Sequence, residues 1–170
     1  PHMSPGQVYV VCPSSCAGAI VFKQALGLPL ADTTLTVAET STWPYAVRLT
    51  GEAHITVYNR LKGGYFVAAL PASETTAVYD LLRTVHAEIA PAENVLATTL
   101  QNANPVIHPA VTLCNAALIE RTGGDFLFYE EGVTEAVGRV IKAVDDERLA
   151  IGEALGARVI RDPELGIVQG

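Results

Sequence analysis

The spacing of apolar residues changes near Pro91, and this change constrains the fold more than any other feature of the sequence. Before Pro91, short apolar runs are bounded by Gly, Pro and Ser, which is typical of strands. After it, apolar residues recur every three to four positions over long stretches, which is typical of amphipathic helices. The sequence therefore predicts an α/β part over residues 1–92, followed by an all-α part over residues 93–170.

In the first part we predict strands at residues 7–12, 35–38, 54–57 and 65–70, and none after about residue 72. A polar turn and a helix over residues 17–26 follow the first strand, which is the strand, turn and helix unit of an α/β layer. Ser73 is expected to begin another helix. The apolar residues on one face of that helix are expected to be Val78, Leu81, Leu82, Val85 and Ile89.

Three helices are predicted in the second part. One covers residues 94–102, one begins at Pro105, continues to Ile119 and is ended by Gly123 and Gly124, and a long one is capped by Thr134. The inner stripe of the long helix is expected to contain Val137, Val140, Ile141, Val144, Ile151 and Leu155. No helix is expected in the tail after residue 157. Both chain ends look cut, so we expect missing segments or a homodimer partner to cover the sheet edge.

Charge and cysteine content exclude several classes of protein. The net charge of −7 and the lack of basic clusters argue against a nucleic-acid partner or an anionic membrane surface. The apolar stretches are far shorter than the ~20 residues that span a bilayer. Three cysteines do not make a disulfide framework, and the spacing of Cys12 and Cys16 lacks the partners of a zinc site. We therefore expect reduced, metal-free cysteines and a cytoplasmic protein.

Several segments of the sequence together carry a family resemblance. Residues 102–109 read NANPVIHP, followed by FYEEGVT at 128–134 and DDER at 145–148. Upstream, GQVYVVCP at 6–13 precedes a turn of small residues, and AETSTWPYAVR stands at 38–48. Over about residues 6–169 the chain resembles the octopine/nopaline (opine) dehydrogenase family. The resemblance implies the C-terminal part of a Rossmann-type dinucleotide-binding domain, followed by the first helices of a helical substrate domain.

The resemblance also implies a reaction and a cofactor. Opine dehydrogenases use NAD or NADP for the reversible reductive condensation of an amino acid with a 2-keto acid, in a cleft between the two domains. Two features of the family are missing from this sequence: the glycine-rich G-x-G-x-x-G turn and the later carboxylate that orients the histidine. The chain is therefore expected to be about half of an enzyme, to bind the cofactor poorly and to be inactive alone.

The resemblance makes His108 the candidate catalytic residue, because an imidazole can shuttle a proton near neutral pH. Asn104 precedes it by four residues and would share its helical face as a substrate-binding amide, although Asn104 equally suits a helix cap. His108 is expected to face the strand ends near Cys12 and Glu39. The candidate cofactor contacts are Pro13, Ser14, Ser15, Glu39 and Thr40, because ligands bind at the carboxyl ends of such strands. Tight packing explains the small residues of the turn equally well.

Some interpretations remain open at this point. Tyr129, Glu130 and Glu131 form either a lip over the cleft or, more often for such a pattern, a solvated turn, and neither His54 nor His86 is given a role. Another two-domain dehydrogenase, of the ketopantoate or glycerol-phosphate type, would place a lysine near the amide. No lysine lies between Lys62 and Lys142, which disfavours that class. A non-catalytic assembly module that keeps the helical domain for dimerisation also fits the incomplete sheet.

Overall fold

A computed structural model describes residues 3–4, 6–14 and 17–170 of the chain. Four strands form one sheet, namely β1 (Val8–Val11), β2 (Thr36–Thr40), β5 (Tyr65–Leu70) and β6 (Ile89–Pro91). They lie in the order β1-β2-β5-β6, and β5 runs antiparallel to β2 while the other two pairs are parallel. A separate hairpin consists of β3 (Tyr45–Gly51) and β4 (His54–Arg60).

Helices dominate the rest of the chain. Two of them accompany the sheet, α1 (Gly18–Ala25) and α2 (Thr75–Leu82), and a short 3-10 turn at Ala72–Glu74 precedes α2. The others are α3 (Val95–Gln101), α4 (Asn104–Cys114), α5 (Ala116–Thr122), α6 (Glu135–Ala154) and α7 (Asp162–Gln169). All residues after Pro91 are described, and no strand occurs among them. The prediction of an α/β part followed by an all-α part is confirmed. No helix in the described ranges is long and apolar enough to cross a membrane.

The sheet is covered on both faces because successive side chains of a strand point to opposite sides. Val37 of β2 packs with Ala19 of α1 and Val95 of α3, whereas the next residue, Ala38, packs with Val78 of α2. Helix α3 therefore packs on the sheet as well as on α6, although it follows the expected domain boundary at residue 92. The position of that boundary remains a prediction.

Several expectations for the first part were wrong in detail. The structure adds strands β3 and β6, and β6 lies beyond residue 72. Its three residues are too few to show a period and are fixed only by pairing with β5. Helix α2 ends at Leu82, so Val85 is exposed and Ile89 lies in β6. The helical spacing of these two residues was coincidental, since tertiary pairing with β5 determines the conformation of residues 89–91.

In the helical part, the cap at Thr134 is confirmed and the helix expected over residues 94–102 forms as α3, with Asn94 as its cap, but the helix expected from Pro105 to Ile119 is broken at Asn115. The side chain of Asn115 donates from Nδ2 to the carbonyls of Val111 and Gly132, both at 2.8 Å. The tail is also different from expectation, because it forms α7. There, Gln169 accepts a hydrogen bond from the Lys62 amide at 3.1 Å, which ties the tail to the loop between β4 and β5.

The buried face of helix α6 is not the apolar stripe that the sequence predicted to be buried. Of that stripe, Val137 is buried and Ile141 is half-buried, whereas the others are exposed, namely Val140, Val144, Ile151 and Leu155. The inner face instead carries Asp145 and Arg148, paired at 2.5 Å. Arg148 also donates to the Leu100 carbonyl at the end of α3, at 2.6 Å. A cation at this helix end satisfies a carbonyl that has no partner within α3, which explains the polar inner face.

Candidate active site

A cleft of about 1120 Å³ lies between the carboxyl ends of β1 and β2 and the helical part of the chain. The strand ends contribute Cys12 and Thr42, and Arg48 and Ile55 contribute from the hairpin. The opposite wall contains three residues of α4, namely Asn104, His108 and Thr112, together with Phe128 and Tyr129 of the loop between α5 and α6. We call residues 125–133 of this connection the aromatic loop.

His108 lines the cleft together with Cys12, which follows β1, as expected, whereas Glu39 of β2 is buried and does not line it. His108 is half-buried, and its Nε2 is 2.8 Å from the hydroxyl oxygen of Tyr129. The ring of Phe128 meets the imidazole edge-on, with 5.6 Å between ring centroids. The aromatic loop therefore fixes the imidazole in the cleft wall. Tyr129 belongs to a lip over the cleft, whereas Glu130 and Glu131 are solvent-exposed, as a turn would have them.

Asn104 lines the same wall one helical turn before His108, and its amide is held by Asn102. The Oδ1 atom of Asn102 accepts from the Asn104 backbone at 3.0 Å and from Asn104 Nδ2 at 2.8 Å. Nδ2 of Asn102 donates in turn to the Ser14 carbonyl at 2.6 Å. Sequence reasoning missed Asn102, and only its spacing of two from Asn104 could have indicated it. This chain of bonds fixes the helical wall relative to the end of β1.

Most of the residues that were expected to contact a cofactor are buried in the protein. Ser14, Glu39 and Thr40 have no exposed surface, Pro13 is half-buried, and Ser15 lies outside the described residues. The Glu39 carboxylate accepts three hydrogen bonds, from the Ser14 hydroxyl, the Ala19 amide and the Thr98 hydroxyl, at 2.7 to 2.9 Å. Through these contacts Ser14 and Glu39 join β2, α1 and α3, and the role of Ser14, Glu39 and Thr40 as cofactor contacts stays a prediction.

The same contacts decide whether α1 fits the pyrophosphate of a dinucleotide. A helix N-terminus binds an anion through free backbone N–H groups. Here the amides of Ala17, Gly18 and Ala19 already donate to Thr99, Ser14 and Glu39, respectively. The buried carboxylate occupies the place of a bound anion. The described residues of this turn therefore do not fit a pyrophosphate.

The floor of the cleft contains two more ionisable side chains that sequence reasoning left without a role. Burial raises the pKa of the Tyr65 hydroxyl far above its usual range, so the phenol stays protonated at neutral pH. The ring of His86 packs edge-on against Tyr45 and Tyr65, with both centroid distances at 5.9 Å. Tertiary packing alone brings these side chains to the cleft.

We expect Gly132→Ala to displace the aromatic loop. A Cβ at Gly132 would overlap the Phe128 carbonyl and approach Val111 Cγ1 to 2.9 Å. Such overpacking costs about 1–3 kcal/mol and should break the contact between Tyr129 and His108. Thermal denaturation and the ring ¹⁵N signals of His108 measure both effects. Gly138→Ala is the matched control: its Cβ meets nothing within 4 Å in α6, and we expect it to stabilise by about 0.5–1 kcal/mol. Unchanged stability and ring signals in Gly132→Ala would contradict this prediction.

Known proteins match both parts of the chain. Residues 91–166 match the family described as NAD/NADP octopine/nopaline dehydrogenase, alpha-helical domain. The opine dehydrogenase of Arthrobacter sp. (strain 1C) is 36% identical over 161 residues, covering 93% of this chain and 43% of that protein. The chain thus spans less than half the length of this relative.

Solved structures show the same fold. A yersinopine dehydrogenase superimposes with a TM-score of 0.73 at 16% identity, over 91% of this chain and 39% of that one. An octopine dehydrogenase solved with NADH and agmatine gives a TM-score of 0.60 at 16% identity, over 86% of this chain and 37% of that one. The α/β sheet followed by helices is the arrangement of these enzymes, and the sequence match lies in their helical domain. The chain is therefore similar to opine dehydrogenases over most of its length, and its helical part matches the helical domain of that family.

Proposed function

We propose that this chain forms the substrate-facing part of an NAD(P)-dependent oxidoreductase that joins an amino acid to a 2-keto acid and catalyses the reverse oxidation. The observation that carries the proposal is the position of His108, which faces the carboxyl ends of the strands across the cleft, with Asn104 beside it. In an α/β protein these strand ends are where ligands bind. A proton-transferring side chain opposite them suits the reduction of an imine formed by the two substrates.

Each residue of the cleft wall has a part in this proposal. His108 donates a proton to the substrate nitrogen and accepts it in the reverse direction, and the Tyr129 hydroxyl orients its ring. The Asn104 amide, one of whose N–H groups is bonded to Asn102, keeps its oxygen and second N–H for the substrate. The aromatic loop shields the reacting groups from water. Asn102 acts as a positioning residue through Asn104.

The ligands of related structures support the choice of cofactor and substrates. A yersinopine dehydrogenase has been solved with NADP⁺, and an octopine dehydrogenase with NADH and agmatine and with NADH and pyruvate. A nicotinamide cofactor supplies the hydride in this class of reaction. Since α1 does not fit a pyrophosphate, we propose that this chain contributes substrate contacts and that it is inactive alone. A second copy, or segments of the kind present in the longer relatives, would cover the exposed stripe of α6.

A segment exchange tests the proposed function. The aligned stretch of this chain would replace the matching stretch of the Arthrobacter opine dehydrogenase, which is 36% identical. Oxidation of NADH or NADPH would be measured with panels of amino acids and 2-keto acids, and the product identified by mass. We expect turnover that requires both substrates and yields a secondary amine. A folded hybrid that binds cofactor but makes no such product would refute the proposal and favour a non-catalytic assembly module.

A further inference from the structure

The charge of the cleft is opposite to that of the protein. The chain carries 18 acidic and 11 basic side chains, for a net charge of −7. Among the described residues that line the cleft, none is acidic, whereas Arg48, His86 and His108 are basic. The carboxylate of Glu88, which interacts with His86, is already bound by Arg60 at 2.9 and 3.0 Å. Among the described lining residues the one formally charged side chain is therefore the Arg48 guanidinium, which suits an anionic ligand in an otherwise acidic protein.

Arg48 is the permanent cation of this cleft. It lies on β3 of the hairpin, opposite Thr56 of β4, and no ion pair to it is found among the described residues. Its Nη1 atom donates to the neighbouring Val47 carbonyl at 3.0 Å, which leaves Nε and Nη2 available. A guanidinium can hold a planar oxyanion through two parallel hydrogen bonds. Arg60, paired with Glu88, fixes the base of the hairpin and thereby the wall that carries Arg48.

We propose that Arg48 binds the carboxylate of a substrate and so orients it toward His108. The assignment to a substrate deepens the proposed function and rests on it, since amino acids and 2-keto acids both carry a carboxylate. A phosphate group of a cofactor has similar chemistry, but the glycine-rich turn that binds the pyrophosphate of a dinucleotide does not occur in this sequence. The hairpin is therefore a substrate-binding element, and it supplies the cation that the −7 chain otherwise lacks in the cleft.

Titration of the chain itself tests this assignment by NMR. We expect pyruvate to shift the signals of Arg48 Nε and of His108, and methyl pyruvate, a neutral ester, to shift them much less. Arg48→Gln should weaken pyruvate binding roughly 10-fold, because a hydrogen bond between ions is lost. Arg121→Gln removes an exposed cation on α5, away from the cleft lining, and should leave the affinity unchanged. A parallel titration with inorganic phosphate shows whether the site binds a phosphate oxyanion more tightly than a carboxylate.

Several outcomes would overturn the assignment. These are no pyruvate binding by the wild-type chain, equal affinity in Arg48→Gln, equal binding of the ester, or phosphate binding tighter than pyruvate binding. The titration and the segment exchange distinguish failure of the Arg48 assignment from failure of the proposed function. If the hybrid enzyme is inactive but the chain binds pyruvate in a way that depends on Arg48, the proposed function alone is refuted. An active hybrid whose Michaelis constants are unchanged by Arg48→Gln would refute the role of Arg48 only.

Discussion

Replacing His108 with alanine in the active hybrid enzyme is expected to lower turnover roughly 100-fold or more, which is the usual contribution of a positioned acid or base. The imidazole faces the strand ends and is held by Tyr129, so its loss removes the proposed proton donor without changing any side chain of the sheet. The dissociation constant for NADH should change little. Steady-state kinetics and cofactor fluorescence titration measure the two quantities separately.

His54→Ala is the matched control, because His54 is exposed on β4 and does not line the cleft. It should retain full turnover. Tyr129→Phe keeps the aromatic ring and removes only the hydroxyl, so we expect a smaller loss together with a shifted pH profile of turnover. Wild-type turnover in His108→Ala, or a loss as large in His54→Ala, would show that His108 is structural.

Replacing Glu39 with leucine should destabilise the chain by at least ~3 kcal/mol. The carboxylate is fully buried and is the acceptor for two hydroxyls and one backbone amide. Each buried donor left without a partner costs about 1–3 kcal/mol, and leucine removes an acceptor from three buried donors, of which the Thr98 hydroxyl keeps the Val95 carbonyl. Urea denaturation followed by circular dichroism measures the change in the free energy of unfolding.

Two variants bracket this prediction. Glu39→Gln keeps the shape and one acceptor oxygen, so we expect it to be less destabilising than leucine. Glu52→Leu places the same residue on the exposed turn of the hairpin and should change stability by less than ~0.5 kcal/mol. If Glu39→Leu unfolds at the same urea concentration as the unmodified chain, the buried carboxylate does not hold β2, α1 and α3 together.

The candidate site was predictable from sequence only in part. The spacing of Asn104 and His108 placed both on one helical face, since residues four apart on a helix are neighbours. Arg48 and Tyr129 line the same cleft from other elements, and no local pattern reports such contacts. Glu39 ends a strand of the kind that binds ligands, and no local pattern reports that α1 and α3 close over this strand end.

The sequence by itself determined the order and type of most elements, because period, caps and turn residues act within a few positions of the chain. It thus fixed the change from strands to helices at Pro91 and the start of α6 at Thr134. Only the tertiary structure decided the short strand β6 and which face of α6 lies inside. Those outcomes depend on pairing with β5 and on the Leu100 carbonyl, which Arg148 satisfies from 48 residues away. Apolar periodicity identifies a face of a helix, but the neighbouring elements determine whether that face is covered.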